Sequence, residues 1–225
     1  MKQLLYVANW KMFFSFKQAR GWLETNQKLL NCSNLVLCPS FELLAYTAEY
    51  ARKNNLLLGA QDCSEHGLGA YTGQVSAQSL AELGCSYCII GHSEQRAHLT
   101  NTIIYNKLTQ LAAHTITPIV CISQVTGKQI EPIQQFIKKY QIKPLYIAYE
   151  PLSAIGTGLI ASQEDIISTL NQLRASIGSS QVKFLYGGSV APDNCASLKL
   201  IEDLDGFLIG SASTTIDTLL GIIRA

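Results

Sequence analysis

Leu145-Tyr146-Ile147-Ala148-Tyr149-Glu150-Pro151 is a short, continuously apolar run that stops at a carboxylate and a proline. Its first five residues do not alternate with polar ones, so the segment reads as a strand covered on both faces, as in a parallel sheet. Other runs share this character: Leu4–Ala8, Leu35–Cys38, Leu56–Gly59, Tyr87–Ile90, Ile119–Ile122, Lys183–Tyr186 and Phe207–Ile209.

Longer stretches lie between these runs. Ser15–Leu30, Phe41–Asn54, Thr102–His114 and Ser162–Ile177 carry apolar residues at three- and four-residue spacing and read as amphipathic helices. Ser162-Gln163-Glu164-Asp165 has the form of an N-terminal cap with an acidic first turn, and Gly178 is a natural stop. Ser76–Leu83, Ala191–Ser197 and Ser213–Ile223 are shorter or weaker helical segments. Eight strand-then-helix units argue for an α/β fold of the (β/α)8 barrel kind, although pattern alone leaves a doubly wound open sheet in contention. No linker or low-complexity stretch divides the 225 residues, which read as one domain spanning 1–225.

Composition narrows the function. Hydrophobic residues make up 48% and charged residues 15%, enough apolar material for a large core, and the formal net charge is only +1. Lys and Arg are scattered rather than gathered on one face, so no nucleic-acid partner is expected. The apolar run at Leu4–Ala8 is too short for a signal peptide, and no run is long enough to cross a bilayer, so no membrane association is expected. The seven cysteines lack metal-ligand spacing. Cys85 and Cys88 form a C-x-x-C, but inside an apolar run, where buried reduced thiols of a cytoplasmic protein are the simpler reading than a redox motif.

A parallel barrel carries its chemistry at the C-terminal ends of its strands. Asn9 and Lys11 follow the first run, His92 and Glu94 the fourth; Glu150 ends the sixth. Gly187-Gly188-Ser189 follows the seventh and Gly210-Ser211 the eighth. Polar and glycine residues therefore collect at one end. The remaining histidines, His66, His98 and His114, have no such setting and read as surface residues.

Four of these segments are specific. Asn9-Trp10-Lys11-Met12, Gly91-His92-Ser93-Glu94-Gln95-Arg96, Ala148-Tyr149-Glu150-Pro151 with Ala154-Ile155-Gly156-Thr157-Gly158, and Tyr186-Gly187-Gly188-Ser189-Val190 resemble, in order, the signature segments of the triosephosphate isomerase family. The resemblance implies interconversion of dihydroxyacetone phosphate and glyceraldehyde 3-phosphate through an enediolate. Glu150 is then the base, since one desolvated carboxylate can take a proton from one carbon and return it to its neighbour. His92 is the electrophile, a neutral imidazole polarising the carbonyl. Lys11, oriented by Asn9, is the cation, and Glu94 supports Lys11 and His92. Gly156, Ser189, Gly210 and Ser211 hold the phosphate, chiefly through backbone N–H groups. Pro151–Ala161 is a closing lid, held by Tyr186 and Ser189, that keeps water from the enediolate. Gly69–Gln74 resembles a loop that enters a second subunit, with Thr72 reaching its active site, so a homodimer is implied. Neither metal nor organic cofactor is implied, because the substrate's own carbonyl is the electron sink.

Several positions depart from the family pattern. Ser153 and Leu159-Ile160 replace hinge residues of the lid, Ser123-Gln124 stands for Gly-Glu, and altered lid kinetics with intact chemistry is the expectation. Asn101 replaces a glutamate of a buried polar network, an expected cost to dimer stability. Phe13-Phe14 replaces Asn-Gly, Ser211 replaces a phosphate-loop glycine, and Thr126–Gln141 is short. Two other readings remain: a barrel enzyme acting on a larger sugar or heterocyclic phosphate, and a non-catalytic barrel that binds a phosphorylated ligand.

Overall fold

A computed structural model describes residues 2–26, 32–140, 144–151 and 161–225. Its strands are β1 (Leu5–Asn9), β2 (Leu35–Cys38), β3 (Leu57–Ala60), β4 (Cys85–Ile90), β5 (Thr117–Ile122), β6 (Leu145–Tyr149), β7 (Val182–Tyr186) and β8 (Gly206–Ile209). Each pairs in parallel with the next, and β8 pairs with β1, with Leu5 opposite Gly206 and Ala8 opposite Ile209. The sheet is a closed (β/α)8 barrel, which removes the open doubly wound alternative.

The apolar continuity of the strands follows from two cores that share them. Leu5, Val7, Val36, Cys38, Ile89, Ile119, Cys121, Tyr146, Ala148, Leu185 and Leu208 form one cluster, the filling of the barrel. Their chain neighbours, among them Tyr6, Ala8, Leu35, Ile90, Ile122, Ile147, Phe184 and Phe207, belong to a second cluster between the strands and the helices. Successive side chains point to opposite faces. Residues in step with the inner set therefore continue inward where a strand ends: Asn9 after Val7, Glu150 after Ala148, Gly187 after Leu185 and Gly210 after Leu208. The alternation that fills the barrel also aims the polar residues into its mouth.

The helices are α1 (Phe16–Asn26), α2 (Leu44–Lys53), α3 (Ala77–Glu82), α4 (Ser93–Arg96), α5 (Asn101–Ala113), α6 (Gly127–Lys139), α7 (Gln163–Ile177), α8 (Pro192–Leu198) and α9 (Ile216–Arg224). In α7 the buried stripe is Ile166, Leu170, Leu173 and Ile177. Ser162 Oγ accepts the Asp165 N–H at 3.0 Å, and Gly178 ends the helix in the left-handed region at φ 68°. Truncating a fully buried member such as Leu170 to Ala would cost about 2–5 kcal/mol.

The boundaries differ from the sequence reading in places. β5 begins two residues earlier because Pro118 sits within the ladder opposite Cys88. The stretch Phe41–Asn54 opens as a 3-10 turn, Phe41–Leu43, before α2. The expected end of the first helix, at Leu30, lies outside the described residues. Cys85 and Cys88 lie on β4, buried and unpaired, rather than on a strand-to-helix turn.

Candidate active site

The mouth of the barrel holds a cavity of ≈ 400 Å³, walled by the ends of β1, β4, β6, β7 and β8. Asn9 is 4% exposed, and its Oδ1 accepts the Lys11 N–H at 3.1 Å. Lys11 sits at φ 47°, a left-handed conformation that a long side chain adopts at a cost of about 1–3 kcal/mol. Gln61, just past β3, holds it there: its Nε2 donates to the Lys11 carbonyl at 2.8 Å and to the Cys38 carbonyl at 2.9 Å. Between Asn9 and Lys11, Trp10 is fully buried and anchors the turn edge-on against Phe14 and Trp22, at 4.9 and 5.0 Å. Phe14, one of the departures from the family pattern, is thus packing, while Phe13 lines the cavity and is half exposed. The bent backbone delivers Lys11 Nζ to Glu94 Oε1 at 2.7 Å.

His92 caps α4. Its Nδ1 accepts the Glu94 backbone N–H at 3.3 Å, so the lone pair is on Nδ1 and the imidazole proton on Nε2. The Glu94 carboxylate, 3.6 Å from Nδ1, adds no hydrogen bond in that tautomer. Nε2 faces Glu150 Oε1 at 3.0 Å. Glu150 is 2% exposed; its backbone N–H donates to the Ile122 carbonyl at 2.8 Å, and its Oε2 accepts the Ser93 N–H at 3.2 Å. A Cβ at position 187 would stand 2.9 Å from Glu150 Cγ, so glycine there is what gives the carboxylate room. Beneath it lies Cys121, whose thiol is pushed well above its ordinary range by burial and then by the neighbouring Glu150 carboxylate.

Opposite this pair, Gly188, Ser189, Gly210 and Ser211 form the rest of the wall. Asn194 Nδ2 braces the Ser189 carbonyl at 3.2 Å. Tyr186 Oη accepts the Ala161 N–H at 3.4 Å, and burial raises the phenol. Among the described residues no group of His, Cys, Asp and Glu could hold a metal ion.

The structure thus brings together Asn9, Lys11, His92, Glu150, Ser189, Gly210 and Ser211, with Glu94 bonded to Lys11. Thr72 is exposed on the loop after β3 and does not join the cavity of its own chain. Gly156, most of the segment Pro151–Ala161, and the departures Ser153 and Leu159-Ile160 lie outside the described residues. At Ser123-Gln124, Gln129 supplies a clamp: its Oε1 accepts both backbone N–H groups, at 3.1 and 3.5 Å, and its Nε2 donates to Ser123 Oγ at 3.2 Å. Asn101 Nδ2 bonds Glu131 at 3.1 Å, tying α5 to α6, while Arg96 Nη1 is buried with no partner among the described residues.

Sequence reasoning missed Gln61, Cys121 and Gln129. Gln61 had a signal, a polar residue just beyond a barrel strand; Cys121 had none within its apolar run.

A family model described as "Triosephosphate isomerase" matches residues 4–225. A protein of that name from Thermus thermophilus is 35% identical, across all of this chain and 99% of its own length. Those of Moorella thermoacetica and Herminiimonas arsenicoxydans are 33% and 34% identical, with this chain covered in full and 99% and 100% of theirs.

Proposed function

The chain belongs to the triosephosphate isomerase family, and on that premise we propose that it interconverts dihydroxyacetone phosphate and D-glyceraldehyde 3-phosphate. The observation that carries the reading is the meeting of Glu150, His92 and Lys11 in one cavity from three different strands. Glu150 takes a proton from the carbon beside the substrate carbonyl and returns it to the neighbouring carbon. Its burial keeps water from competing for that proton. His92 donates its Nε2–H to the carbonyl oxygen as negative charge develops, and Lys11 offsets that charge and the phosphate's. The electron pair released by deprotonation moves onto the substrate's own oxygen. The backbone N–H groups of Ser189, Gly210 and Ser211 bind the phosphate, with Gly156 and the lid Pro151–Ala161 completing the site.

The active form is a homodimer in this reading. Met12 and Leu68 are 89% and 68% exposed, and Phe13, Phe16, Phe41 and Tyr71 are also well exposed. All lie on or just after the loops that follow β1, β2 and β3, the last of which carries Thr72. An exposed apolar set of this size favours burial against a second copy. The protein is cytoplasmic in the same reading: all seven thiols are unpaired, as a reducing compartment maintains them. No helix among the described residues is long and apolar enough to cross a membrane.

Conversion of dihydroxyacetone phosphate in D2O, followed by proton NMR, tests the reading. A single-base enediolate path gives glyceraldehyde 3-phosphate carrying deuterium at C2 in part of the product. No product, or product free of deuterium as a hydride shift would give, contradicts it.

A further inference from the structure

Trp22, on α1, touches two arms of the site, the loop after β1 and the turn after β8. Its indole Nε1 donates to the Thr214 carbonyl at 2.7 Å, 192 residues away in sequence. Thr214 closes a turn that is braced within itself. Ser213 Oγ and the Ser213 N–H both donate to the Gly210 carbonyl, at 2.7 and 2.9 Å; Thr214 Oγ1 and the Thr214 N–H both donate to the Ser211 carbonyl, at 2.8 and 3.0 Å. The turn therefore behaves as one piece, and a grip on its last carbonyl is a grip on all of it. Among the described residues no other donor reaches the Thr214 carbonyl. The same indole packs edge-on against Trp10 at 5.0 Å, and Phe14, 6.3 Å away, completes the trio. Trp10 directly precedes Lys11 and is fully buried, yet its own Nε1 finds no hydrogen-bond partner among the described residues. Aromatic packing is thus what fixes its ring. Phe14 stands where the family pattern has glycine. The two arms come together in the cavity, since a Cβ at position 210 would stand 3.4 Å from Lys11 Cε and 3.8 Å from Nζ.

We propose that Trp22 is a positioning residue for the isomerase reaction, a single indole that sets the span between the Lys11 ammonium and the turn after β8. The inference rests on the triose phosphate reading above and deepens it. One end of the substrate is held at that turn, and the other develops negative charge beside Lys11, so the distance between the two has to match the substrate. The two grips of the indole are separable. Its N–H acts on the turn, whereas its ring acts on Trp10 and through it on Lys11. The phosphate does not change during proton transfer, so loosening the turn weakens ground and transition states alike and appears in KM. Loosening Lys11 removes charge stabilisation that the transition state needs most, and appears in kcat.

The test compares wild type with Trp22→Phe and with enzyme carrying benzothienylalanine at position 22 alone, in which sulfur replaces the N–H and the bicyclic ring is kept. The benzothienylalanine enzyme is expected to raise KM for dihydroxyacetone phosphate and the inhibition constant of inorganic phosphate about five- to tenfold, with kcat within about threefold of wild type. Trp22→Phe is expected to show the same rise and to lower kcat by about tenfold as well, because the smaller ring withdraws from Trp10. Isomerisation of glyceraldehyde, the substrate without its phosphate, should be unchanged in the benzothienylalanine enzyme, since the deleted bond acts only through the turn. A merely structural role would lower both reactions in step, and that result overturns the proposal. Unchanged KM and phosphate inhibition in the benzothienylalanine enzyme overturn it too, and a Trp22→Phe enzyme with wild-type kcat overturns the hold on Lys11. A wild type that turns over no triose phosphate overturns the reading beneath the proposal, whereas an active wild type beside unaffected variants overturns the role of Trp22 alone.

Discussion

Glu150 and His92 meet at 3.0 Å, Oε1 to Nε2, although they arrive on β6 and β4, with β5 between them. Each is fixed independently of the other. His92 is held by the Glu94 backbone N–H, and Glu150 by the Ile122 carbonyl and the Ser93 N–H. The pair is therefore a property of the barrel's register, and it sets a proton acceptor and a proton donor on one cavity. Shortening either side chain leaves its partner where it is.

Gln61 is expected to act on Lys11 from behind. Gln61→Leu keeps the volume but leaves the Lys11 and Cys38 carbonyls without their donor and the φ 47° backbone without its clamp. The ammonium then loses its position, and kcat/KM should fall about 10- to 100-fold. Steady-state kinetics of this variant beside Lys11→Ala checks it, with unchanged kcat/KM in Gln61→Leu as the contrary result.

Stability should fall on the alkaline side. Burial raises the thiols of Cys38, Cys88 and Cys121 well above their ordinary value and lifts Cys85, Tyr6 and Tyr146 to about 12. In the unfolded chain a thiol ionises near pH ~8.5 and a phenol near ~10. Above those values the unfolded state sheds protons that the folded state retains, so each group's contribution is whole below its unfolded pKa and is lost as pH rises toward its folded one. Urea midpoints measured between about pH 7 and 10.5 should hold to about 8.5 and then decline. A flat profile to pH ~10.5 contradicts this linkage.

The buried Lys107 pairs with the partly buried Asp62, both carboxylate oxygens lying 2.6 Å from the ammonium. Burial still lifts the Asp62 carboxyl, against the pull of that ammonium. Lys107→Met would leave a partly buried carboxylate without its ammonium, a loss of about 1–3 kcal/mol. Adding Asp62→Leu should restore more than half of it. Chemical denaturation of the single and double variants decides, and a single variant as stable as wild type contradicts it.

The exposed apolar face predicts a dimer that charge can break. Sedimentation velocity should show the wild type as a dimer at micromolar concentration. The double variant Phe16→Asp, Leu68→Asp should run as a monomer with sharply reduced activity, because Thr72 would no longer reach a neighbour. A monomeric wild type with full activity runs against this.

The barrel was legible because its strands are apolar on both faces, a pattern that arises where helices cover the outer side of a closed parallel sheet and its inner side chains pack on one another. Glu150 stood out as the polar end of such a run. Asn9, His92 and the glycines were legible for a related reason: they sit where the apolar run gives way at the strand's C-terminal end. The supporting contacts were not. The backbone bend at Lys11 depends on where β2 and β3 end in space, which places Gln61 beneath it. Cys121 resembles any other core residue until β6 puts Glu150 above it. The short helix α4 was not legible, because its four residues carry no periodicity. At Ser123-Gln124 a local change is met by Gln129 on the following helix, a compensation visible only once α6 folds back on β5.

The most direct test of Glu150 as the base is the rate of glyceraldehyde 3-phosphate conversion by wild type, Glu150→Asp and Glu150→Gln. Withdrawing the carboxylate by about one carbon–carbon bond should slow turnover by about 10²- to 10⁴-fold, with Gln slower still, while both variants remain folded. A Glu150→Asp enzyme as fast as wild type would contradict the account at its centre.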